Sequence, residues 1–153
     1  MEYPWFPMFV DLSKKRVLVV GAGRIAGRRA AALTRFCGRV EVIAPEIGAA
    51  AQAEADAGRL TLQRRPFEPG DLAGRDLVLA ATDDAALNAS IAALCRARGI
   101  PVNVSSDKAL CDFYFPGIAL DGDVAVGITA SGRDHRRAAG ITRRVQAALK
   151  DQD

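Results

Sequence analysis

The residues best suited to chemistry form one segment, Gly21-Ala22-Gly23-Arg24-Ile25-Ala26, a G-x-G-x-x-A pattern. It follows the apolar run Arg16-Val17-Leu18-Val19-Val20 and opens a stretch with helical periodicity. In that setting each small residue has a task. Gly21 makes the tight turn out of a strand, Gly23 lets the main chain approach a diphosphate, and Ala26 lets helix and strand pack closely. The unpaired N–H groups and dipole at the helix start then favour an anion, which puts Arg24 and Ile25 among the binding candidates. The bare alternative is a strand-to-helix turn that holds nothing.

Two further loops belong to the same chemistry. A dinucleotide site normally has an acid at the end of the second strand to grip the ribose hydroxyls. Here that position falls at Ala44-Pro45-Glu46, with Glu46 slightly beyond it, and no arginine follows to recommend a 2′-phosphate. The reading is therefore NAD. Ala80-Ala81-Thr82-Asp83-Asp84 leaves the fourth strand at its carboxyl end, where open α/β sheets bind ligands. Ala81 and Thr82 are small enough for a nicotinamide or ribose to pass, and Asp83 is a cofactor candidate. Asp83 or Asp84 also suits a helix cap. Asn88 reads either as a solvated helix residue or as a cofactor neighbour.

Alternating elements must carry these loops. Strands are expected at 16–20, 40–43, 60–64, 77–81 and 101–104, and helices at 24–36, 47–57 and, after a cap at Asp83 or Asp84, through Leu87, Ile91, Leu94 and Cys95 until Gly99 ends it. Pro66 to Arg75 reads as a polar connection. Strand and helix alternate with no hairpin signal to about residue 104, the mark of a Rossmann-type parallel sheet with helices on both faces. Beyond Phe113 the pattern changes. Asp121-Gly122-Asp123 separates two apolar runs and predicts a β-hairpin, followed by a helix from Ala138 to Leu149. The expected division is a dinucleotide-binding domain over 1–112 and a dimerisation segment over 113–153.

Composition narrows the classes. The chain has 153 residues, half of them apolar, and a net charge of +3. That is enough apolar material for one packed core. Arginine is favoured over lysine, but no basic stripe interleaved with aromatics recommends nucleic acid. No apolar run approaches a membrane span, and the start carries no signal-peptide pattern. Three cysteines, Cys37, Cys95 and Cys111, lack metal-ligand spacing and suit a reduced, cytoplasmic protein. No metal site is expected.

Taken in order, Tyr3-Pro4, Met8 to Leu12, the Gly21–Ala26 loop, Ala44-Pro45-Glu46, Ala80 to Asp84 with Leu87-Asn88, Val102-Asn103-Val104, Cys111-Asp112-Phe113 and Phe115-Pro116 resemble the precorrin-2 dehydrogenase and sirohydrochlorin ferrochelatase family of siroheme synthesis. The resemblance runs from Tyr3 to about Val145. It implies an intertwined homodimer and NAD-dependent oxidation of precorrin-2 to sirohydrochlorin. The implied substrate is a tetrapyrrole bearing many carboxylates, which Arg24, Arg28, Arg64, Arg65 and Arg133 are candidates to meet.

The chain departs from the family pattern in three places. Members carry an aspartate, credited with proton handling, three residues after the asparagine of N-V-x-D. Ser106 stands there, followed by Asp107. A serine hydroxyl is no base near neutral pH, so Asp107 becomes the candidate for the proton, with Ser106 positioning. A Gly-Gly-x-Ser-Pro segment is replaced by Ser131 to His135, whose lone histidine is a further catalytic candidate. Longer members continue into a C-terminal helical domain where this chain stops at Asp153, so a short form without robust ferrochelatase activity is expected. Two other functions fit parts of the pattern, a non-catalytic NAD(H)-binding redox sensor and a ferrochelatase acting without NAD.

Overall fold

The computed structural model describes residues 3–151. They form two compact units. The larger runs from Val10 to Phe113, and the smaller joins the chain through Phe9 to the chain from Tyr114 onward.

The larger unit is built on five parallel strands, β1 (Val17–Val20), β2 (Val40–Ile43), β3 (Thr61–Gln63), β4 (Leu77–Ala80) and β5 (Val102–Val104), in the order β3-β2-β1-β4-β5. All four residues of β1 are buried, as continuous apolar runs are when both faces of a sheet are covered. Helix α1 (Arg24–Leu33) connects β1 to β2, α2 (Ala49–Asp56) connects β2 to β3, and α3 (Ala85–Ala97) connects β4 to β5. The first two crossovers run one way along the sheet and the last runs the other. Right-handed connections therefore put α1 and α2 on one face and α3 on the opposite face. The registers place Val20 beside Ile43 on one side and Ala80 on the other, so three strands end level. Strand order reverses at β1, which opens a crevice between the loops after β1 and β4.

Several boundaries differ from the sequence reading. The helix expected to Phe36 ends at Leu33, because Thr34 Oγ1 donates to Ala31 O at 2.7 Å and the next N–H groups reach back only three residues. The helix expected from Ile47 starts at Ala49, with Gly48 extended at its cap. The polar connection holds a 3-10 turn, Pro69–Leu72, whose Leu72 enters the core with Val78 and Ile91. Asp71 anchors that turn. It accepts from the Glu68 N–H at 2.7 Å and from Arg65 at 2.9 and 2.6 Å, and Arg65 holds the Asp71 carboxyl below its usual pKa.

In the smaller unit, β6 (Gly117–Asp121) and β7 (Val124–Ile128) form the expected hairpin, with Gly122 at φ +51° in its two-residue turn. Helix α4 (His135–Lys150) begins three residues before the expected Ala138, because Asp134 caps it by accepting from the Arg137 N–H at 2.8 Å. Gln146 brackets Leu120, accepting from its N–H and donating to its carbonyl, both at 3.0 Å. Ala119 is fully buried, whereas no residue of α4 is. Trp5 stacks on Tyr114 with ring centroids 3.7 Å apart.

Candidate dinucleotide-binding site

Gly21 leaves β1 at φ +107° and donates its N–H to Ile43 O at 2.9 Å. A β-carbon there would stand 2.4 Å from Ala81 O. The residue is glycine for two reasons, the left-handed backbone and the approach of the β4 loop. Ala81 in turn donates to Val20 O at 2.9 Å, so the two crevice loops are tied to one strand end. Gly23 caps α1 with no side-chain bond to the first turn, and a β-carbon on it would meet nothing within 4 Å. This is the cradle that a diphosphate needs: helix N–H groups without a competing side chain, under open space. Arg24 and Ile25 are exposed at its rim, Ile25 by 50%. The residues present therefore fit a dinucleotide.

Two glycines that the sequence reading passed over shape the cradle from behind. Gly48 donates to Ala22 O at 3.0 Å, and a β-carbon on it would lie 2.5 Å from that oxygen. Gly27 lets α1 press on α2, where an added β-carbon would approach Ala50 Cβ at 3.2 Å. The only available signal was a glycine directly after Ala26 and another just before an alanine run.

Asn88 is wholly buried and knits the floor of the crevice. Its Oδ1 accepts from Thr82 N at 3.1 Å and from Thr82 Oγ1 at 2.7 Å. Its Nδ2 donates to Thr82 O and to Ser106 Oγ, both at 3.1 Å. Thr82 and Ser106, from the loops after β4 and β5, are thus held by one amide. Asp84 caps α3 through the Leu87 N–H at 3.0 Å, and Asp83 is left exposed. Asp107 is exposed, and its Oδ1 accepts from the Ala109 N–H at 2.9 Å, capping a short 3-10 turn.

The remaining candidates are dispersed. Ala44 is buried at the end of β2, with Pro45 and Glu46 exposed after it. Arg28 is exposed on α1. Its neighbour Arg29 donates to Asn103 Oδ1 at 2.8 Å, and Asn103 Nδ2 reaches Phe113 O at 2.8 Å. Burial, with help from Arg28, lowers the Arg29 pKa. Arg64 and Arg65 follow β3, the first bonded to Gln52 and the second paired with Asp71. Arg133 and His135 belong to the smaller unit, with His135 exposed at the first position of α4. Cys37, Cys95 and Cys111 are free thiols, and burial pushes Cys95 up to about 11. Among the described residues no group of His, Cys, Asp or Glu is arranged to hold a metal, and no helix is long and apolar enough to cross a membrane.

Residues 8–117 match the family model described as "Putative NAD(P)-binding". The chain is 38% identical over 149 residues to the siroheme synthase of Photorhabdus laumondii subsp. laumondii, covering 97% of this chain and 31% of that protein. It is 41% identical over 128 residues to the siroheme synthase of Ectopseudomonas mendocina, covering 84% and 27%. The chain thus spans less than a third of the length of these curated relatives. Among solved structures it is similar to SirC, precorrin-2 dehydrogenase, with a TM-score of 0.72 and 25% identity over 97% of this chain and 71% of that one.

Proposed function

The chain belongs to the NAD(P)-binding family, and on that premise we propose that it is an NAD-dependent precorrin-2 dehydrogenase of siroheme synthesis. The observation that carries the proposal is the Gly21–Gly23 cradle at the reversal of strand order, in a chain whose fold and sequence follow siroheme synthases and a precorrin-2 dehydrogenase. The reaction removes two hydrogens from precorrin-2: a hydride passes to NAD, giving NADH, and a proton is released as sirohydrochlorin forms.

The chain's own contribution is to bind, orient and handle that proton. The amides at the start of α1 bind the diphosphate, and Gly21 and Gly23 leave room for it. Asn88 fixes the Thr82 main chain beside the crevice and orients the Ser106 hydroxyl. Asp107 keeps one carboxylate oxygen outside its cap and is the proposed proton acceptor, with His135 as the alternative. Arg24 and Arg28 of the larger unit are proposed to meet substrate carboxylates. A homodimer suits the smaller unit, whose exposed Phe6 and half-exposed helix α4 leave apolar surface for a second copy. Three free thiols suit the cytoplasm.

The test supplies precorrin-2 and NAD and follows NADH and sirohydrochlorin by absorbance. Formation of both in equal amounts supports the proposal. Binding of NAD without turnover favours a second reading, a binding-only NAD(H) module. That reading draws on the hydroxyl at Ser106 and on the capping duty of Asp107.

A further inference from the structure

The adenosine end of the crevice lacks the carboxylate that discriminates between the two nicotinamide coenzymes. A strand-end acid accepts hydrogen bonds from both ribose hydroxyls and repels a 2′-phosphate. Here β2 ends at Ile43, and the next residue, Ala44, is 5% exposed and carries only a methyl group. The first acid after it, Glu46, lies beyond Pro45 and is exposed.

Level with Ala44 in the extrapolated register is the arginine that directly follows the neighbouring strand β3. The register pairs Ile43 with Gln63, and Ala44 N donates to Gln63 O at 3.1 Å, which carries the ladder one step past β2. The next residue along is Arg64. Ala44 and Arg64 lie one step past the paired Ile43 and Gln63, so their side chains leave the same face of the sheet. Arg64 donates to the amide oxygen of Gln52 on α2, a neutral partner. Among the described residues no carboxylate lies within ion-pair distance of it, whereas the adjacent Arg65 is fixed on Asp71. Arg64 is exposed, so exchanging a neutral amide for a doubly charged phosphate costs little desolvation and gains a charge-assisted bond.

We infer that Arg64 is a 2′-phosphate-recognising residue and that this chain binds NADP about as well as NAD. The inference rests on the dinucleotide-binding reading of the Gly21–Gly23 cradle and concerns only its adenosine end. The cationic fork of Arg64 replaces the missing acid as the group that reads the ribose.

Calorimetry on the full chain tests this with NAD and NADP as separate titrants. In the unaltered protein the two dissociation constants should lie within about threefold of each other, where a strand-end acid would favour NAD. Arg64→Gln should weaken NADP roughly tenfold and NAD less than about twofold, the loss of one charge-assisted contact. Ala44→Asp, which restores the missing carboxylate, should keep NAD and lose NADP, with circular dichroism reporting whether it folds. NAD bound tightly with NADP roughly a hundredfold weaker overturns the Arg64 assignment and leaves the cradle intact. Equal loss of both coenzymes in Arg64→Gln also overturns it. Binding of neither coenzyme removes the dinucleotide reading together with this one.

Discussion

A β-carbon added at Gly21 meets a carbonyl, and one added at Gly23 meets open space; the contrast separates folding from binding. Gly21→Ala combines a left-handed backbone with a 2.4 Å clash, so it should lower unfolding free energy by about 2 kcal/mol or more and abolish coenzyme binding. Gly23→Ala, at φ −68°, should cost under about 1 kcal/mol in thermal unfolding yet weaken NAD at least roughly tenfold. Equal loss of stability in both would mean the cradle is a structural turn. Asn88→Ala strips Thr82 and Ser106 of their shared partner and should cost about 2–3 kcal/mol in denaturant titration. Asp107→Asn should sharply reduce NADH formation while leaving NAD affinity unchanged, and full turnover would remove the proton assignment. At this scale the turn at Gly21 and the helix start after Gly23 were legible, because their spacing is local. The sequence left Asn88 open, because whether a helical asparagine faces water or a crevice depends on strands far along the chain. Gly48 was hidden for the same reason: its task is set by a carbonyl 26 residues away in sequence, at Ala22.

Elements are held by side-chain contacts both near and far along the chain, the Asp71 set being near. Asp71 stabilises the 3-10 turn that sends Leu72 into the core, and its pairing with Arg65 holds its pKa below the unfolded value. The sign follows from linkage. The stabilisation is present above the unfolded carboxylate pKa and is lost as pH falls through the depressed folded value. Asp71→Asn should therefore lower stability by about 1–2 kcal/mol near neutrality, and the gap between variant and parent should close in thermal melts below about pH 4. In the smaller unit, a β-carbon on Gly117 would stand 2.1 Å from Thr142 Oγ1. Gly117→Ala should destabilise the hairpin on α4 by about 1–2 kcal/mol, and adding Thr142→Ala should recover part of the loss. Strand runs such as Val17–Val20 were legible because burial on both faces demands continuous apolar residues. Helix ends were less so: Thr34 closes α1 by donating its hydroxyl to the Ala31 carbonyl, and Asp134 starts α4 ahead of the apolar pattern.

At the scale of the whole molecule, alternation of strand and helix was enough to specify a parallel sheet with helices on both faces, since handedness leaves few other ways to connect it. The membership of the N-terminal lead-in in the smaller unit was not legible, because Tyr3 to Phe9 carry no periodicity to say which elements they join. Sedimentation of the full chain should give twice the mass of 16.2 kDa, as the proposed homodimer requires, and a monomer at micromolar concentration would remove that proposal. The stack of Trp5 on Tyr114 has an optical consequence. Trp5 is the single tryptophan of the chain and lies in the smaller unit. Its emission therefore follows the melting of the hairpin and its helix, while far-ultraviolet dichroism is dominated by the five-stranded unit. Divergent midpoints from the two signals would expose sequential melting, and a coenzyme bound at the cradle should raise the dichroism midpoint more than the emission midpoint.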